Sequence, residues 1–354
     1  MTEPLSRWAT WREIQAQPDI WDAWWPKLEP ILAETRDWIS RLDITEIWLS
    51  GAGTSAYIGD FLASALRART PVPVYSVAST DLVAAPHQFL GAAKPLVVNF
   101  GRSGNSAESI GVLDILDALA SDAPVLNITC NAEGILATRQ SLHQRVIVLP
   151  QETHDQGFAM TSSYSAMLLT ALALFDEGVS QDKVKRLSAA ARKVMPEIEA
   201  FAKAMEIPGR VVITGSGMLK FTAREAALKI MELAAGQIPA LWDSSLGFRH
   251  GPKSFVSNGT HIFILVSSDR DIARYDRDLS AELKNQFTDI EVTLIEGGDL
   301  PDRLGGLVQA IACQIIATVL SDRLGLHVDD PFKGQGTLSR VVADVKLYPP
   351  KPSA

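Results

Sequence analysis

Three residues of the types that move protons lie in the second half of the chain. Lys229 and Glu232 are three residues apart in the otherwise apolar run from Ala226 to Ala235, and His250 follows in the Gly/Pro-rich turn Gly247–Lys253. Residues three apart share a face of a helix, and a charge in an apolar wall is costly unless it is paired or used. A carboxylate, an amine and an imidazole can together move protons on a sugar.

The run that carries the charged pair is expected to be a buried helix. Its other members leave hardly any face for water: Ala227, Leu228, Met231, Leu233 and Ala234. This apolar setting distinguishes the pair from an ordinary salt bridge on a helix surface, and the glycine-rich turn is expected to aim His250 at the same wall.

Alternating strands and helices indicate how these residues are positioned. Short apolar strands are predicted at 44–50, 72–77, 96–100, 125–128 and 146–149, with helical stretches between them and helices at 161–175 and 181–205. Alternation of this kind predicts an α/β fold with a parallel sheet covered by helices. Residues 1–40, which hold six of the eight tryptophans, predict helices whose aromatic side chains pack on the body of the protein or on a second subunit.

The pattern then restarts after Pro208-Gly209-Arg210. Val211–Gly217 repeats the earlier strand and its Gly-X-Gly turn at an offset of 164 residues, and further strands are predicted at 261–267 and 290–295. This predicts a duplicated α/β unit. We therefore expect an N-terminal helical segment (1–40), a first domain (41–205) and a second domain (206–354).

Two turns of the first repeat are candidates for binding an anion. One is Gly51–Ser55, and the other is Gly101–Ser109, with the sequence Gly-Arg-Ser-Gly-Asn-Ser-Ala-Glu-Ser. Each is predicted to open a helix at the carboxyl end of a parallel strand, where backbone N–H groups, the helix dipole and hydroxyls favour a phosphate. Ordinary helix capping by Ser, Thr and Asn is the alternative for either loop alone.

The second repeat lacks these anion-binding side chains. Met218 and Leu219 stand where the first repeat has Thr54 and Ser55, and its later strand runs into Ser267-Ser268-Asp269-Arg270. One phosphate site per chain, in the first repeat, is therefore expected. A nicotinamide-dependent dehydrogenase is disfavoured, because the second strand ends Tyr-Ser-Val-Ala-Ser without the acid that would hold the ribose, and Asp81 comes too late.

Composition sets broad limits. The 354 residues suffice for about two domains, and the mixture of 47% hydrophobic and 21% charged residues is globular. A net charge of −8 argues against non-specific nucleic-acid binding. Cys130 and Cys313 lie in apolar runs and are expected to be buried free thiols. The N-terminus shows no signal peptide, and the longest apolar run, near 307–320, falls short of the ~20 residues that span a bilayer; a reducing cytoplasm fits best.

With both loops and the Lys-X-X-Glu helix identified, the chain resembles a tandem sugar isomerase (SIS) domain protein related to the isomerase half of glucosamine-6-phosphate synthase. Longer strings are similar to the D-galactosamine-6-phosphate deaminase branch, also called tagatose-6-phosphate ketose/aldose isomerase; they include residues 152–163 and 247–254. The resemblance implies two flavodoxin-like parallel sheets flanked by helices.

The resemblance also implies roles for individual residues. The family's isomerase base falls on Glu232, its nearby lysine on Lys229 and its ring-opening histidine on His250, which in relatives comes from the partner subunit and so implies a homodimer with shared sites. The phosphate contacts of the family fall on Thr54, Ser55, Arg102, Ser103 and Ser106, with Thr161 nearby; His154 is a further candidate for the site.

One position departs from the family pattern. In the C-terminal loop Thr337–Arg340, the residue that matches the Schiff-base lysine of the synthase is Arg340. A guanidinium cannot form that imine, so a contact with an anion or a hydroxyl is expected. The chain also starts Met-Thr-Glu, with no cysteine nucleophile to free ammonia from glutamine, which favours the breakdown direction.

These implications give a functional hypothesis that needs no metal and no redox cofactor. In this hypothesis a hexosamine 6-phosphate, D-galactosamine 6-phosphate, is opened, isomerised by a 1,2-proton transfer and hydrolysed to tagatose 6-phosphate and ammonia. Three alternatives are a plain aldose/ketose phosphate isomerase, a deaminase specific for glucosamine 6-phosphate and a non-catalytic sugar-phosphate sensor. Retention of Glu232, Lys229 and His250 argues against the sensor, and no nucleic-acid or membrane partner is expected.

Overall fold

A computed structural model describes residues 3–91, 93–336, 338–342 and 345–348. Within these residues the chain contains two parallel sheets, each in its own compact unit. The first-sheet unit comprises the described residues of 20–154, residues 162–181 and the described residues from 339 onward. The second-sheet unit comprises residues 3–19, 155–161 and the described residues of 182–338. The α/β class predicted from the sequence is therefore confirmed.

The tryptophan-rich N-terminus is one long helix rather than several. After a 3-10 turn at Leu5–Arg7, helix α1 runs from Ala9 to Ser40. Its aromatic rings pack on the protein: Trp21 donates through Nε1 to Ser165 Oγ at 3.2 Å, and Trp24 does the same to Thr170 Oγ1 at 3.1 Å. Both tryptophans are buried, so each ring fills apolar space while its N–H is satisfied.

The first sheet has five parallel strands in the order β2-β1-β3-β4-β5. Its elements, in chain order, are β1 (Glu46–Ser50), α2 (Thr54–Leu66), β2 (Val74–Ser76), α3 (Ser79–Ala84), β3 (Pro95–Gly101), α4 (Ala107–Leu119), β4 (Val125–Thr129), α5 (Ile135–Thr138) and β5 (Gln144–Val148). Every residue of the central strand β3 is buried, as expected for a parallel strand covered on both faces. The strand order reverses between β1 and β3, where such folds bind ligands at the carboxyl ends of the strands.

Two helices follow the first sheet. α6 (Ser162–Phe175) belongs to the first-sheet unit and is buried along nearly its whole length. α7 (Gln181–Ala204) is amphipathic and exposes its charged face. Both agree with the helices predicted from the sequence.

The second sheet repeats the first with one strand fewer. Its elements are β6 (Arg210–Gly215), α8 (Leu219–Leu233), β7 (Ala240–Asp243), β8 (Thr260–Val266), α9 (Arg270–Gln286), β9 (Ile290–Glu296) and α10 (Asp302–Arg323). The strand order β7-β6-β8-β9 matches the first four positions of the first sheet. β7 escaped prediction because it is only four residues long and only half-buried.

α10 is longer than its apolar run indicated. By length and composition alone, this helix of 22 residues could cross a membrane. Its most apolar 18-residue stretch is fully buried inside the protein. Two glutamines mark it as a core helix: Gln309 donates through Nε2 to Val266 O and Ile295 O, and Gln314 accepts from Gln17 Nε2 at 2.8 Å. A core helix of a globular unit meets the same length criterion as a membrane span.

The two cysteines are free and buried, as predicted. Burial disfavours the charged thiolate and raises the pKa of Cys313 to about 12. Cys313 is therefore an inert core residue rather than a nucleophile.

Candidate functional site

The first anion turn has the backbone that a close approach requires. Gly53 has φ 55° and ψ −128°, a conformation that favours glycine, and a Cβ added at Gly51 would lie 2.6 Å from Ser55 Cβ. The next two residues, Thr54 and Ser55, are buried at the start of α2. Gly53 itself occupies the cap position, and no side chain caps this helix. The hydroxyls of Thr54 and Ser55 are therefore not used for helix capping.

The second turn is braced by amide side chains. Asn131 Nδ2 donates to Ser103 O at 2.9 Å, Asn105 Oδ1 accepts from Ile135 N at 2.9 Å, and Gly104 has φ 66°. Ser106 sits at the cap of α4 without making a side-chain cap, and its Oγ lies 2.7 Å from Ser109 Oγ. The turn is held by other residues, and the hydroxyl of Ser106 is not used to cap the helix.

The C-terminal segment lies against this second turn within the first-sheet unit. Arg102 is buried and donates through Nη2 to Arg340 O at 2.9 Å, while Val342 O accepts from Ala107 N at 3.1 Å. Arg340 contacts Arg102 through its backbone carbonyl, and its side chain is exposed to solvent. Thr337, which opens the predicted loop, lies outside the described residues.

On α8 of the second-sheet unit, a buried lysine is held between two carboxylates. Lys229 Nζ lies 2.5 Å from Glu232 Oε2 and 3.3 Å from Glu225 Oε1; Lys229 and Glu225 are each 1% exposed, and the side chain of Glu232 is 23% exposed. Burial opposes the charge on Lys229, but the attraction of Glu225 and Glu232 outweighs it and raises the pKa of the ammonium. Lys229 is therefore a permanent cation that orients the partly accessible carboxylate of Glu232.

One detail of the predicted helix is wrong. Met231 was expected to close the apolar wall, yet it is 37% exposed. Met231 and Glu232 lie on the part of the last turn that reaches solvent, whereas Lys229 lies on the inner side. α8 thus has a narrow solvent-exposed edge, and Glu232 lies on it.

His250 lies on an anchored turn of the same unit. Two 3-10 turns, Gly247–His250 and Pro252–Phe255, build the loop, and Phe248 is buried in a core cluster beneath it. Arg249 Nε donates to Glu282 Oε2 at 2.7 Å, and Lys253 pairs with the same carboxylate. Hydrogen bonds from Lys253 and Arg249 lower the pKa of Glu282. The imidazole of His250 is exposed between these two anchors.

Thr161 is fully buried and hydrogen-bonded within its own unit. Its backbone N–H and its Oγ both donate to the Asp155 carboxylate at 2.9 Å. Since a threonine has one O–H, that donor is already used. His154 follows the 3-10 turn Gln151–Thr153 and is half-buried.

A second carboxylate holds the same loop. Glu13 of α1 accepts from Gln156 N at 2.5 Å. Burial, with the nearby charges of Asp155 and Asp329, raises the pKa of Glu13 to about 7.

Comparison with known proteins agrees with this architecture. The SIS domain family matches residues 43–176. A protein named D-galactosamine-6-phosphate deaminase AgaS from Shewanella sp. (strain ANA-3) is 37% identical, over 96% of this chain and 92% of that protein. Another of that name, from Escherichia coli O157:H7, is 35% identical over 96% of each chain.

This chain belongs to the AgaS family of SIS-domain proteins. The crystal structure of tagatose-6-phosphate ketose/aldose isomerase from Escherichia coli superposes with a TM-score of 0.87 at 31% identity, covering 94% of this chain and 97% of that one. The resemblance predicted from the sequence motifs is confirmed.

Two residues of this AgaS-family chain escaped sequence reasoning. Glu225 lies four residues before Lys229, a spacing that predicts a helical ion pair, so that signal was available. Glu282 holds Arg249 and Lys253 from α9, 29 residues beyond Lys253. No local pattern in the sequence links it to the His250 loop.

Proposed function

We propose that this protein converts D-galactosamine 6-phosphate to tagatose 6-phosphate and ammonia. The observation that carries the proposal is the Lys229–Glu232 pair on a chain that is 37% identical, over nearly its full length, to a D-galactosamine-6-phosphate deaminase. A carboxylate oriented by a buried cation is the base that a 1,2-proton transfer needs. The proposed proton transfers and imine hydrolysis require neither a metal nor a redox cofactor.

The phosphate of the substrate is bound by the two turns of the first repeat. Thr54, Ser55 and Ser106 offer hydroxyls that cap no helix, and Ser103 adds a fourth beside Gly104. Arg102, which is buried beside this turn, adds a positive charge. Binding the non-reacting end of the sugar in this way supplies energy that can be used at C1 and C2.

Glu232 removes the proton from C2 of the opened aldose and returns it to C1. The electron pair released at C2 forms a C1–C2 double bond while the C1 carbonyl oxygen takes up a proton, which gives an enolamine. When the proton is returned to C1, the lone pair of the nitrogen forms the C2–N double bond of a 2-imino ketose. Water then adds to the imine carbon and ammonia leaves, so that the nitrogen departs with its protons and the ketone remains. Lys229 holds the Glu232 carboxylate in place before the transfer and compensates charge during it.

His250 opens the ring by moving a proton between the C1 hydroxyl and the ring oxygen. Its exposure on an anchored loop suits an imidazole that acts outside its own subunit, and we include a homodimer with shared sites in the proposal. The exposed guanidinium of Arg340 contributes a contact with an anion or a hydroxyl. Thr161 and His154 remain proposed neighbours of the substrate; a Thr161 contact through the O–H would require its release from Asp155. The two free, buried cysteines suit a cytoplasmic location.

A second candidate is a plain ketose/aldose isomerase. The structural relative at 31% identity carries that name, and the same proton transfer on a sugar with a hydroxyl at C2 gives a ketose without releasing ammonia. Glu232 would play the same part, so ammonia release is the property that separates the two candidates.

The test is a substrate panel with paired variants. Galactosamine, glucosamine, galactose and tagatose 6-phosphates are assayed for ammonia and for ketose with the parent, with Glu232→Gln and with Glu291→Gln, an exposed carboxylate on β9 that serves as the matched control. Glu232→Gln should lower turnover by a factor of about 10³ while sugar-phosphate binding, measured by calorimetry, is retained. Ammonia release near the parent rate in Glu232→Gln would refute the assigned base, and ketose formation without ammonia would favour the plain isomerase.

A further inference from the structure

The second-sheet unit contains a cavity that the proposed reaction does not use. It measures about 290 Å³ and lies at the carboxyl ends of β8 and β9, next to the starts of α9 and α10. We name it the arginine cavity after Arg270, Arg274 and Arg277, which line it together with Ser267, Gly297 and Gln309. Carboxyl ends of parallel strands are where open α/β sheets bind ligands.

The charge of the arginine cavity favours an anion. The three arginines follow one another at spacings of four and three on α9 and so share a face. Arg277 pairs with Glu296 at 2.8 Å, whereas no ion pair joins Arg270 or Arg274 to a carboxylate of the described residues. The other lining carboxylate, Asp302, accepts from Ser267 Oγ at 2.5 Å and Ser268 N at 2.6 Å. Two exposed guanidinium groups thus line the cavity without a direct ion pair, and three arginines outnumber the two carboxylates of the lining.

A buried hydrogen-bond acceptor in the lining indicates a second property of the ligand. Gln309, which lines it, is 1% exposed and uses both N–H groups of its amide on Val266 O at 3.0 Å and Ile295 O at 2.9 Å. These two bonds fix which end of the amide is the oxygen, and no donor among the described residues reaches Oε1. A buried carbonyl without a donor is costly, so a ligand that brings an O–H or N–H group would be favoured there.

Glycine backbone forms part of the lining. Gly298 has φ 75°, and a Cβ added at Gly297 would lie 2.7 Å from Gly305 Cα. The absence of side chains here keeps the strand end open beside the guanidinium groups. The cavity is also separate from the Lys229–Glu232 pair and from the first-repeat turns, since it shares no residue with either.

We propose that the arginine cavity binds a second small phosphate monoester that also carries hydroxyl or N–H donors, with Arg270 and Arg274 on the phosphate and Gln309 Oε1 accepting from the donor. A sugar phosphate and a nucleoside monophosphate share this chemistry. The site is distinct from the phosphate turns of the first repeat and does not depend on the proposed reaction.

Hydrogen exchange locates the binding without relying on activity. The full chain is exposed to glycerol 3-phosphate, fructose 6-phosphate, AMP, methyl phosphate and inorganic phosphate, and protection is followed in peptides covering 266–274 and 296–309. The parent is compared with Arg270→Gln/Arg274→Gln and with Lys193→Gln/Lys284→Gln, which removes two exposed charges elsewhere in the same unit. Thermal melts without ligand verify that each chain is folded.

The expected result is protection of these peptides by the hydroxyl-bearing esters, at an affinity at least ten-fold weaker in the arginine variant and unchanged in the lysine variant. The tighter of fructose 6-phosphate and AMP identifies the source of the ligand. Equal protection in all three chains, or none with any probe, would overturn the proposal. Inorganic phosphate binding as tightly as the esters would mean an adventitious ion only, and would overturn it as well. Failure of the proposed reaction would leave this readout intact.

Discussion

The two repeats share a glycine turn after their first strand, but they differ in the side chains that could bind an anion there. Gly53 in the first repeat and Gly217 in the second have φ of 55° and 59° at an offset of 164 residues, so the turn after the first strand of each sheet contains a glycine at positive φ. In the first repeat that turn leads to two buried hydroxyls, Thr54 and Ser55. In the second it leads to Met218 and Leu219.

The second repeat instead supplies an anion of its own. Asp276 of α9 is fully buried, and its carboxylate accepts from Ser216 Oγ at 2.6 Å, Ser245 Oγ at 2.5 Å and Ser267 N at 3.0 Å. These donors follow β6, β7 and β8, the three neighbouring strands of the second sheet. The comparison teaches that convergent donors at strand ends need a negative group. At β6, β7 and β8 the second repeat supplies it from its own helix, and our proposal is that the first repeat takes it from a ligand.

The largest effect is expected from giving the first repeat the side chain of the second. Ser55→Leu should raise the KM for a sugar 6-phosphate by about 100-fold, because a hydrogen bond to a charged group contributes about 1.5–3 kcal/mol and leucine also blocks the approach. Leu219 occupies the same place beside Gly215 in the second repeat, so the fold should tolerate the change. Steady-state kinetics and a thermal melt check both statements.

The reverse exchange is the control for that prediction. Met218→Thr restores a hydroxyl to the second repeat, yet no new phosphate site should appear there, since Asp276 already occupies the donors. Calorimetric titration with inorganic phosphate should give the same number of sites as the parent. A gain of one site would show that side chains alone, and not the internal carboxylate, separate the repeats.

Removing the internal anion is the next test. Asp276→Asn keeps the shape but removes the charge that three donors serve, and should lower the free energy of unfolding by about 2–3 kcal/mol. Urea denaturation measures this loss. Asp278→Asn, two residues along α9 and exposed, is the matched control and should stay within about 0.5 kcal/mol; equal losses in the two variants would contradict the role given to Asp276.

Glu13 offers the opposite case, a buried carboxylate crowded by other carboxylates. Its pKa is raised from 4.5 to about 7, so the folded state holds the proton more tightly than the unfolded chain does. The raised pKa therefore lowers the free energy of unfolding as the pH increases. This loss is absent below pH 4.5, grows between pH 4.5 and 7, and is complete above pH 7. Glu13→Gln should therefore stabilise the protein by about 2 kcal/mol at pH 8 and by almost nothing at pH 4.5.

Urea denaturation at several pH values tests this dependence. Glu29→Gln, at an exposed position on the same helix, is the control and should show no such gain. A gain for Glu13→Gln that is constant across the pH range would mean that the amide improves packing rather than removing a charge.

The contrast between the repeats was partly readable from the sequence. The paired Gly-X-Gly turns, and Met218 and Leu219 in place of hydroxyls, are local strings, and the alternation of strands and helices fixed the order of elements. Asp276 was not readable, because its donors come from three separate loops and only the folded second sheet brings them to one carboxylate. Glu282 was missed for the same reason, and β7 was missed because a strand of four half-buried residues is too short to show a period.

The smallest predicted effect distinguishes a change in backbone conformation from a change in ligand binding. Gly53→Ala and Gly217→Ala each force a side chain into left-handed φ, and an added Cβ meets nothing within 4 Å at either position. Both should therefore lose about 1–2 kcal/mol of unfolding free energy through conformation alone, measured by urea denaturation. Only Gly53→Ala should also raise the KM for the sugar phosphate, because only that turn carries the hydroxyls proposed to bind it. If the two variants changed the KM equally, the assignment of the phosphate to the first repeat would be wrong.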